Sequence, residues 1–529
     1  MASARIHGSV ADPAGAGFWG VTIIATIKAV ARSRGASRPW AAVAAITAPI
    51  AALLLTACGG SDSASSPTVP PTAPTPTPAP VNAPPVFTSA NAVSVVENTT
   101  TTVYQAAATD PEGAPIAYAI SGGADAAKFT LNGTGQLGLV APPNFELPTD
   151  LDGNNVYLVQ LTASDGQATS TIALQVTVTN SKEGIAVHRV ATGFIHPVAI
   201  ASLSATRMLV AERSGAIYDL NPRTGARTLF YQVSNVGTGD RGVIALAVAP
   251  TFATTGIFHV MFTNTNGFLI VQRYLRNQAG PTVPDNSGPL LAVSAPQYPG
   301  GGWLGYDAGN LIIATGDAGG AGDPAGSAQD ASSRLGKILR VTNNPDPYAG
   351  ASPQFFLVSA IAKGLRNPNG GAYYSGGLLI ADSGQDVAEE VDFLALGAPV
   401  TNFGWPFKEG TKIVRGTPPA DVVDPSIQYP HTGGTHFGQA IVGGFVGSPT
   451  IASLSGVYVF ADRNGALFTT PADPLRRAGT IEGPMLERRN EDFAPDQGTI
   501  DRPVSFGVAS DGQAYIVDDD GEIFSIDQG

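Results

Sequence analysis

The chain has 529 residues, 43% of them hydrophobic, which allows more than one domain with a sizeable core. Its 63 glycines, 42 prolines and only 13% charged residues mark a turn-rich composition of β type. A net charge of −13 without basic clusters argues against nucleic-acid binding and suits a body that holds divalent cations.

The first predicted element is an export signal over residues 1–57. Lys28, Arg32, Arg34 and Arg38 precede a run of small and apolar residues from Trp40 to Ala57. The run ends Leu55-Thr56-Ala57-Cys58, followed by Gly59-Gly60-Ser61. The basic flank stays cytoplasmic, the apolar run inserts, and the small residues admit a peptidase. This pattern resembles the lipobox of bacterial lipoproteins, with an uncleaved membrane helix or an ordinary signal peptide as the alternative. The resemblance implies a lipid on Cys58 and anchorage to a bacterial membrane through it. In lipoproteins of this kind an Asp after the Cys favours the inner membrane. Gly59 stands there, so the expected address is the outer membrane, facing the periplasm or the cell surface. Cys58 is the single cysteine, so no intrachain disulfide can form.

Residues 58–81 are rich in Ser, Thr, Pro and Ala, including Pro74-Thr75-Pro76-Thr77-Pro78. Such a stretch cannot pack a core and tends to polyproline II, which makes it a spacer. Over residues 82–183 short strands alternate with turns, predicting a β-sandwich. Pro84-Pro85-Val86-Phe87, Val95-Val96-Glu97-Asn98, Asp110-Pro111-Glu112-Gly113, Asn144-Phe145-Glu146 and Ala163-Ser164-Asp165-Gly166 together resemble a bacterial cadherin-like repeat. The resemblance implies calcium at Glu97, Asp110, Glu112, Glu146 and Asp165, clustered at one end, where the family has its joint with a neighbouring repeat. Calcium takes six to eight oxygens, which carboxylates and carbonyls provide. Asn144 departs from the pattern, which has Asp there, and the usual Asp-rich linker is missing after Thr179. Solvated turn acids in a plain immunoglobulin-like sandwich are the alternative.

From residue 185 to 529 one phrase recurs: apolar strand, polar turn with Gly, apolar strand. Six copies stand at residues 208–218, 257–270, 310–319, 377–391, 457–468 and 514–524. Each reads as a hairpin, and the spacing of roughly 50–80 residues is that of a propeller blade with loops. The fold class is therefore all-β: a six-bladed β-propeller behind an N-terminal sandwich. The third and fourth copies are the least regular, which keeps five or seven blades open.

Several phrases in this half carry a sharper resemblance. They are Gly193-Phe194-Ile195-His196-Pro197, Gly239-Asp240-Arg241-Gly242, Leu335-Gly336-Lys337-Ile338-Leu339-Arg340, Gly364-Leu365-Arg366-Asn367-Pro368 and Asn402-Phe403-Gly404-Trp405-Pro406. In this order they resemble the glucose/sorbosone dehydrogenase family. The resemblance implies pyrroloquinoline quinone (PQQ) and calcium at the propeller mouth and oxidation of aldose sugars, with a histidine as base. By position it puts Arg366 and Asn367 on the quinone's carboxylates. It puts the cofactor calcium at the carbonyls of Gly384 and Gln385, with Glu390 as a further metal candidate. Arg366 has a second reading as an arginine that pins its loop, and Asp317 reads as a turn residue.

The family's base is missing. Its position falls on Pro299, or on Tyr298 with a one-residue slip. Proline cannot take a proton, and a tyrosine with a pKa of about 10 is a poor base at neutral pH. His431 and His436 are the candidates for a substitute. Three functions follow: a quinone-dependent sugar dehydrogenase, a non-catalytic propeller that binds a glycan or a cell-surface protein, or a purely adhesive role through the cadherin-like part.

Overall fold

The computed structural model describes residues 81–276, 282–284, 288–295, 301–344, 355–434 and 436–529. Cys58, nearly all of the spacer, Tyr298 and Pro299 lie outside the described residues. Residues 79–529 form one compact unit. Among the described residues no helix is long and apolar enough to cross a membrane.

Two sheets face each other in the N-terminal part. One has four strands, in the order Ala92–Val96, Thr169–Thr179, Val156–Ser164 and Ala117–Gly122. The other has three: Tyr104–Gln105, Gln136–Leu139 and Phe129–Leu131. Alternation explains the layering. In Val156–Ser164 every second side chain is buried, and Tyr157, Val159 and Leu161 meet Phe129 and Leu137 of the other sheet in one core.

The remainder forms six sheets whose first strands close into a ring. These strands are Pro197–Ser204 in blade 1, Val243–Val248 in blade 2 and Gly302–Asp307 in blade 3. Pro368–Tyr374, Ile441–Val446 and Pro503–Val508 follow in blades 4 to 6. Each packs against the next, and the last packs against the first. Blade 6 is completed by the first strand of the propeller segment, because Ile185–Ala191 runs antiparallel to Ile523–Gln528. The two ends of the propeller segment are thereby fastened within one sheet, with Ile185–Ala191 as its outer strand.

Hydrophobic burial lies between the blades. Each of the six blade-to-blade faces has its own apolar cluster. The second strands are therefore covered on both sides, which is why they read as continuous apolar runs such as Met208-Leu209-Val210-Ala211. Where the first strands of blades 4 and 5 meet, their backbones approach so closely that side chains are excluded. A Cβ on Gly443 in blade 5 would lie 2.4 Å from Gly370 Cα in blade 4.

The six predicted hairpins fall one to a blade, on its second and third strands. The third departs from its reading: residues 310–319 contain only the strand Asn310–Thr315. Its partner is Lys337–Asn344, across the loop of residues 316–336.

Candidate active site

The ring encloses a cavity of about 350 Å³ on the axis, lined among others by Arg213, Asp240, Trp303, Asn367, Asn369 and Arg463. The lining comes from the starts of the first strands and from the turns after the second strands. One rule of construction repeats there. The acid that ends a second strand accepts backbone N–H groups from the segment leading into a first strand. Glu212 accepts from Ile195 (2.8 Å) and Asp462 from Gln439 (2.9 Å). Asp518 accepts from Asp501 (3.0 Å) and Arg502 (2.9 Å), and Asp382 from Arg366 (2.9 Å) and Asn367 (2.6 Å).

The turns after these acids, with the segments that lead into the first strands, bring cations together. Arg213, Arg463 and Arg502 each lie 3.9 Å from a carboxylate oxygen of Asp519, and His196 Nδ1 lies 3.2 Å from it. Arg213 is also 3.7 Å from Asp240. Three guanidiniums thus surround one largely buried carboxylate beside the cavity. Sequence reading missed Arg213, Arg463 and Asp519 as site residues. The signal was present, because all three occupy the polar turn of a repeated hairpin.

Arg366 is locked in place. Its Nη1 donates to the carbonyls of Ser383 (2.9 Å) and Gly384 (2.6 Å), and its guanidinium lies 5.7 Å from the centre of the Trp405 ring. Trp405 Nε1 donates to Asp317 (2.8 Å), whose carboxyl is pushed up by burial. Asn367 Oδ1 accepts the N–H of Gly301. Gln385 Oε1 accepts the N–H of Gly322 (2.8 Å). Glu409 gathers the N–H groups of Asp386, Val387 and Ala388, so a carboxylate organises the loop of residues 384–388.

His431 Nε2 stands 2.8 Å from the fully buried Glu389, and that contact raises the histidine's pKa. His436 Nε2 lies 2.9 Å from the carbonyl of Leu486, and burial lowers its pKa. Neither ring lines the cavity.

The five acids of the N-terminal domain separate to the two ends of the strand Thr169–Thr179. Asp165 accepts from Asn82 Nδ2 (2.7 Å) and Glu112 from the N–H of Ala83 (3.1 Å), where the chain enters. Asp110 accepts the N–H groups of Glu112 (3.0 Å) and Ala114 (2.9 Å) in the same turn. Glu97 and Glu146 stand at the other end, against the propeller. Glu97 accepts the N–H groups of Phe145 (3.0 Å) and Ser181 (2.9 Å). Asn180 Nδ2 donates both to Glu146 (3.2 Å) and to Asp492 of the propeller (2.7 Å). Arg489 bonds Asp492 (2.6 Å) and Glu183 (2.5 Å). Burial, then Asp492 and Glu97, push the Glu146 carboxyl up to about 8.

Residues 194–459 match the family described as Glucose / Sorbosone dehydrogenase. The chain belongs to this family. The HIPL1 protein of Arabidopsis thaliana is 30% identical over 203 residues, 31% of this chain and 29% of that protein. The HIPL2 protein of the same plant is 31% identical over 192 residues, 29% of this chain and 26% of that protein. The match thus spans less than a third of either relative. Among solved structures, the PQQ-bound form of aldose sugar dehydrogenase from Streptomyces coelicolor superposes with a TM-score of 0.50 at 22% identity. It covers 65% of this chain and 98% of that one. At that identity the likeness speaks for the glucose/sorbosone dehydrogenase fold, which the ring of six sheets displays. Function has to be argued from the chain's own residues.

Proposed function

We propose that the axial cavity binds a planar polyanionic quinone of the PQQ type together with an aldose, and that the propeller is a sugar dehydrogenase of low turnover. The observation that carries this reading is the donor set. Arg213 and Arg463 line the cavity beside Asn367 and Asn369, and arginine suits carboxylates by its forked geometry. When bound, the quinone supplies the acceptor for the sugar's hydride. The chain's part is to bind and orient. Arg213 and Arg463 meet carboxylates, Asn369 and Asp240 offer hydrogen bonds to hydroxyls, and Trp303 gives a sugar ring an apolar wall. Arg366 acts from behind, holding the loop of residues 384–388 through two carbonyls. A cation at the Gly384 carbonyl has to displace that guanidinium, so the quinone fits the residues more readily than a calcium ion at Gly384 and Gln385.

Turnover is low in this reading because no histidine stands among the described residues that line the cavity. General-base catalysis is worth about 10² to 10⁴ in rate. The same observation favours a second reading, a non-catalytic propeller that recognises a glycan or a cell-surface protein. In both, the lipid on Cys58 holds the chain at the outer membrane, and a cadherin-like, calcium-binding sandwich carries the propeller outward.

Incubation with quinone and calcium separates the two. A shifted quinone spectrum with slow dye reduction by aldoses supports the dehydrogenase. A shifted spectrum without turnover leaves binding alone. An unshifted spectrum, with saturable glycan binding, establishes the second reading.

A further inference from the structure

The loops at one end of the sandwich meet the segment that follows the fourth strand of blade 5, Glu487–Arg488. Arg489 stands at the centre of this contact and is 2% exposed. Its Nε donates to Asp492 (2.6 Å), which is fully buried, and its Nη2 donates to Glu183 (2.5 Å) in the link between the domains. Glu183 also accepts from Asn98 Nδ2 of the sandwich (2.5 Å). Two further amides cross the joint. Asn144 Nδ2 donates to Glu487 (2.8 Å), and Asn180 Nδ2 donates to Asp492 (2.7 Å) and Glu146 (3.2 Å). Lys182 Nζ donates to the carbonyl of Ala494 (3.2 Å). The link itself is strained: Lys182 and Glu183 have φ of 53° and 44°, in the left-handed region, and Gly184 continues at 74°. Outside glycine such a conformation persists only where the surroundings impose it.

This is the end at which the cadherin-like resemblance puts Glu97 and Glu146 on calcium, and the residues do not fit that ion. Calcium is held by converging oxygens, with no hydrogens turned toward it. Here N–H groups already fill the space between the acids. Both oxygens of Asp492 accept, one from Arg489 and one from Asn180. Glu97 accepts the N–H groups of Phe145 and Ser181. An ion between Asp492 and Glu183 has to expel the guanidinium. Two departures from the cadherin-like pattern supply donors. An aspartate at position 144 would set its carboxylate against that of Glu487, a pair that needs a cation, whereas the amide of Asn144 donates. Asn180, the residue after Thr179 where the Asp-rich linker is missing, likewise donates to two carboxylates.

We propose that Arg489 clamps the sandwich onto the propeller at the place the resemblance gives to calcium, so that the joint holds without a metal ion. A guanidinium spreads its donors in one plane, which lets Arg489 tie Asp492 of the propeller to Glu183 of the link in a single buried contact. Calcium in the sandwich is left to the opposite end, at Asp110, Glu112 and Asp165. The orientation in which the sandwich presents the propeller then does not change with calcium, whatever the mouth binds.

The test follows cleavage of the full-length protein by a lysine-specific protease, in calcium and in chelator, with the cut bonds identified by mass spectrometry. Cleavage after Lys182 requires the link to leave its turn and the ammonium to leave the Ala494 carbonyl. Cleavage after Lys128, exposed on the sandwich, reports unfolding of that domain and serves as the reference. In the wild type the ratio of the two rates is expected to be the same in calcium and in chelator. A ratio that rises in chelator means that calcium holds the joint, and it overturns the proposal. In Arg489→Met, which keeps the bulk and removes the charge, the ratio is expected to rise about tenfold or more in both media. A ratio in this variant equal to that of the wild type overturns the clamp. Should the variant fold poorly, the wild-type comparison decides by itself. Neither quinone nor sugar enters the assay, so a failure of the cofactor reading registers separately.

Discussion

Two arginines near the cavity have different tasks, and substitution separates them. Arg366 gives both carbonyl bonds to its own chain and leans on Trp405. Arg366→Ala is expected to lower stability by about 1–3 kcal/mol even without ligand, since buried carbonyls lose a charged donor. Arg463 has a side chain 41% exposed and only a 3.9 Å contact with Asp519. Arg463→Ala is expected to leave the melting temperature nearly unchanged and to weaken quinone binding about tenfold or more. Thermal melts and quinone titrations of both variants check this, and the reverse pattern would exchange the roles. The Gly-Leu-Arg-Asn-Pro phrase marks Arg366 and Asn367 as special in the sequence. The direction of the guanidinium is set by the Ser383 and Gly384 carbonyls, contacts between segments that no local pattern displays.

At the scale of elements, repetition made the blades legible. An apolar run, an acid, a turn with Gly and another apolar run recur because each second strand is covered on both faces and each closing acid holds an incoming segment. Blade 3 read as one of the least regular copies because its second and third strands are separated by the loop of residues 316–336, so residues 310–319 contain only the first strand of the expected hairpin. The inner ring was equally hidden: first strands such as Gly302–Asp307 are short, and their glycines look like turn residues. They are required by contact instead. Gly443→Ala places a methyl group against the Gly370 backbone, where neither strand can yield without opening the ring. Overpacking of this kind costs about 1–3 kcal/mol. A denaturant midpoint for Gly443→Ala equal to that of the wild type would show that the ring relaxes freely.

On the scale of the whole molecule, the sequence predicts the order signal, spacer, sandwich and propeller, and the described residues contain the two facing sheets and the ring of six blades. Cys58→Ser is expected to abolish acylation and release the protein from membranes, and palmitate labelling of the variant checks it. The joint between sandwich and propeller was not legible, because its partners are far apart in the chain: Glu146 meets Asp492 only after folding, through Asn180. That joint carries a prediction about pH. Glu146 ionises near the ordinary glutamate value of 4.5 when unfolded and at about 8 when folded, chiefly through burial and then through Asp492 and Glu97. Between these values the folded chain holds the extra proton. Its stabilising share is complete below about 4.5, declines as pH rises, and is gone above about 8. Melting temperatures measured in chelator from about pH 5 to about pH 9 should therefore fall with rising pH in the wild type. Glu146→Gln, which keeps the acceptor for Asn180 and cannot ionise, should flatten that slope and be the more stable protein at the alkaline end. Parallel profiles for the two proteins would mean that Glu146 is already ionised at the joint, its charge matched by Arg489, and that the contact between the domains does not depend on its proton.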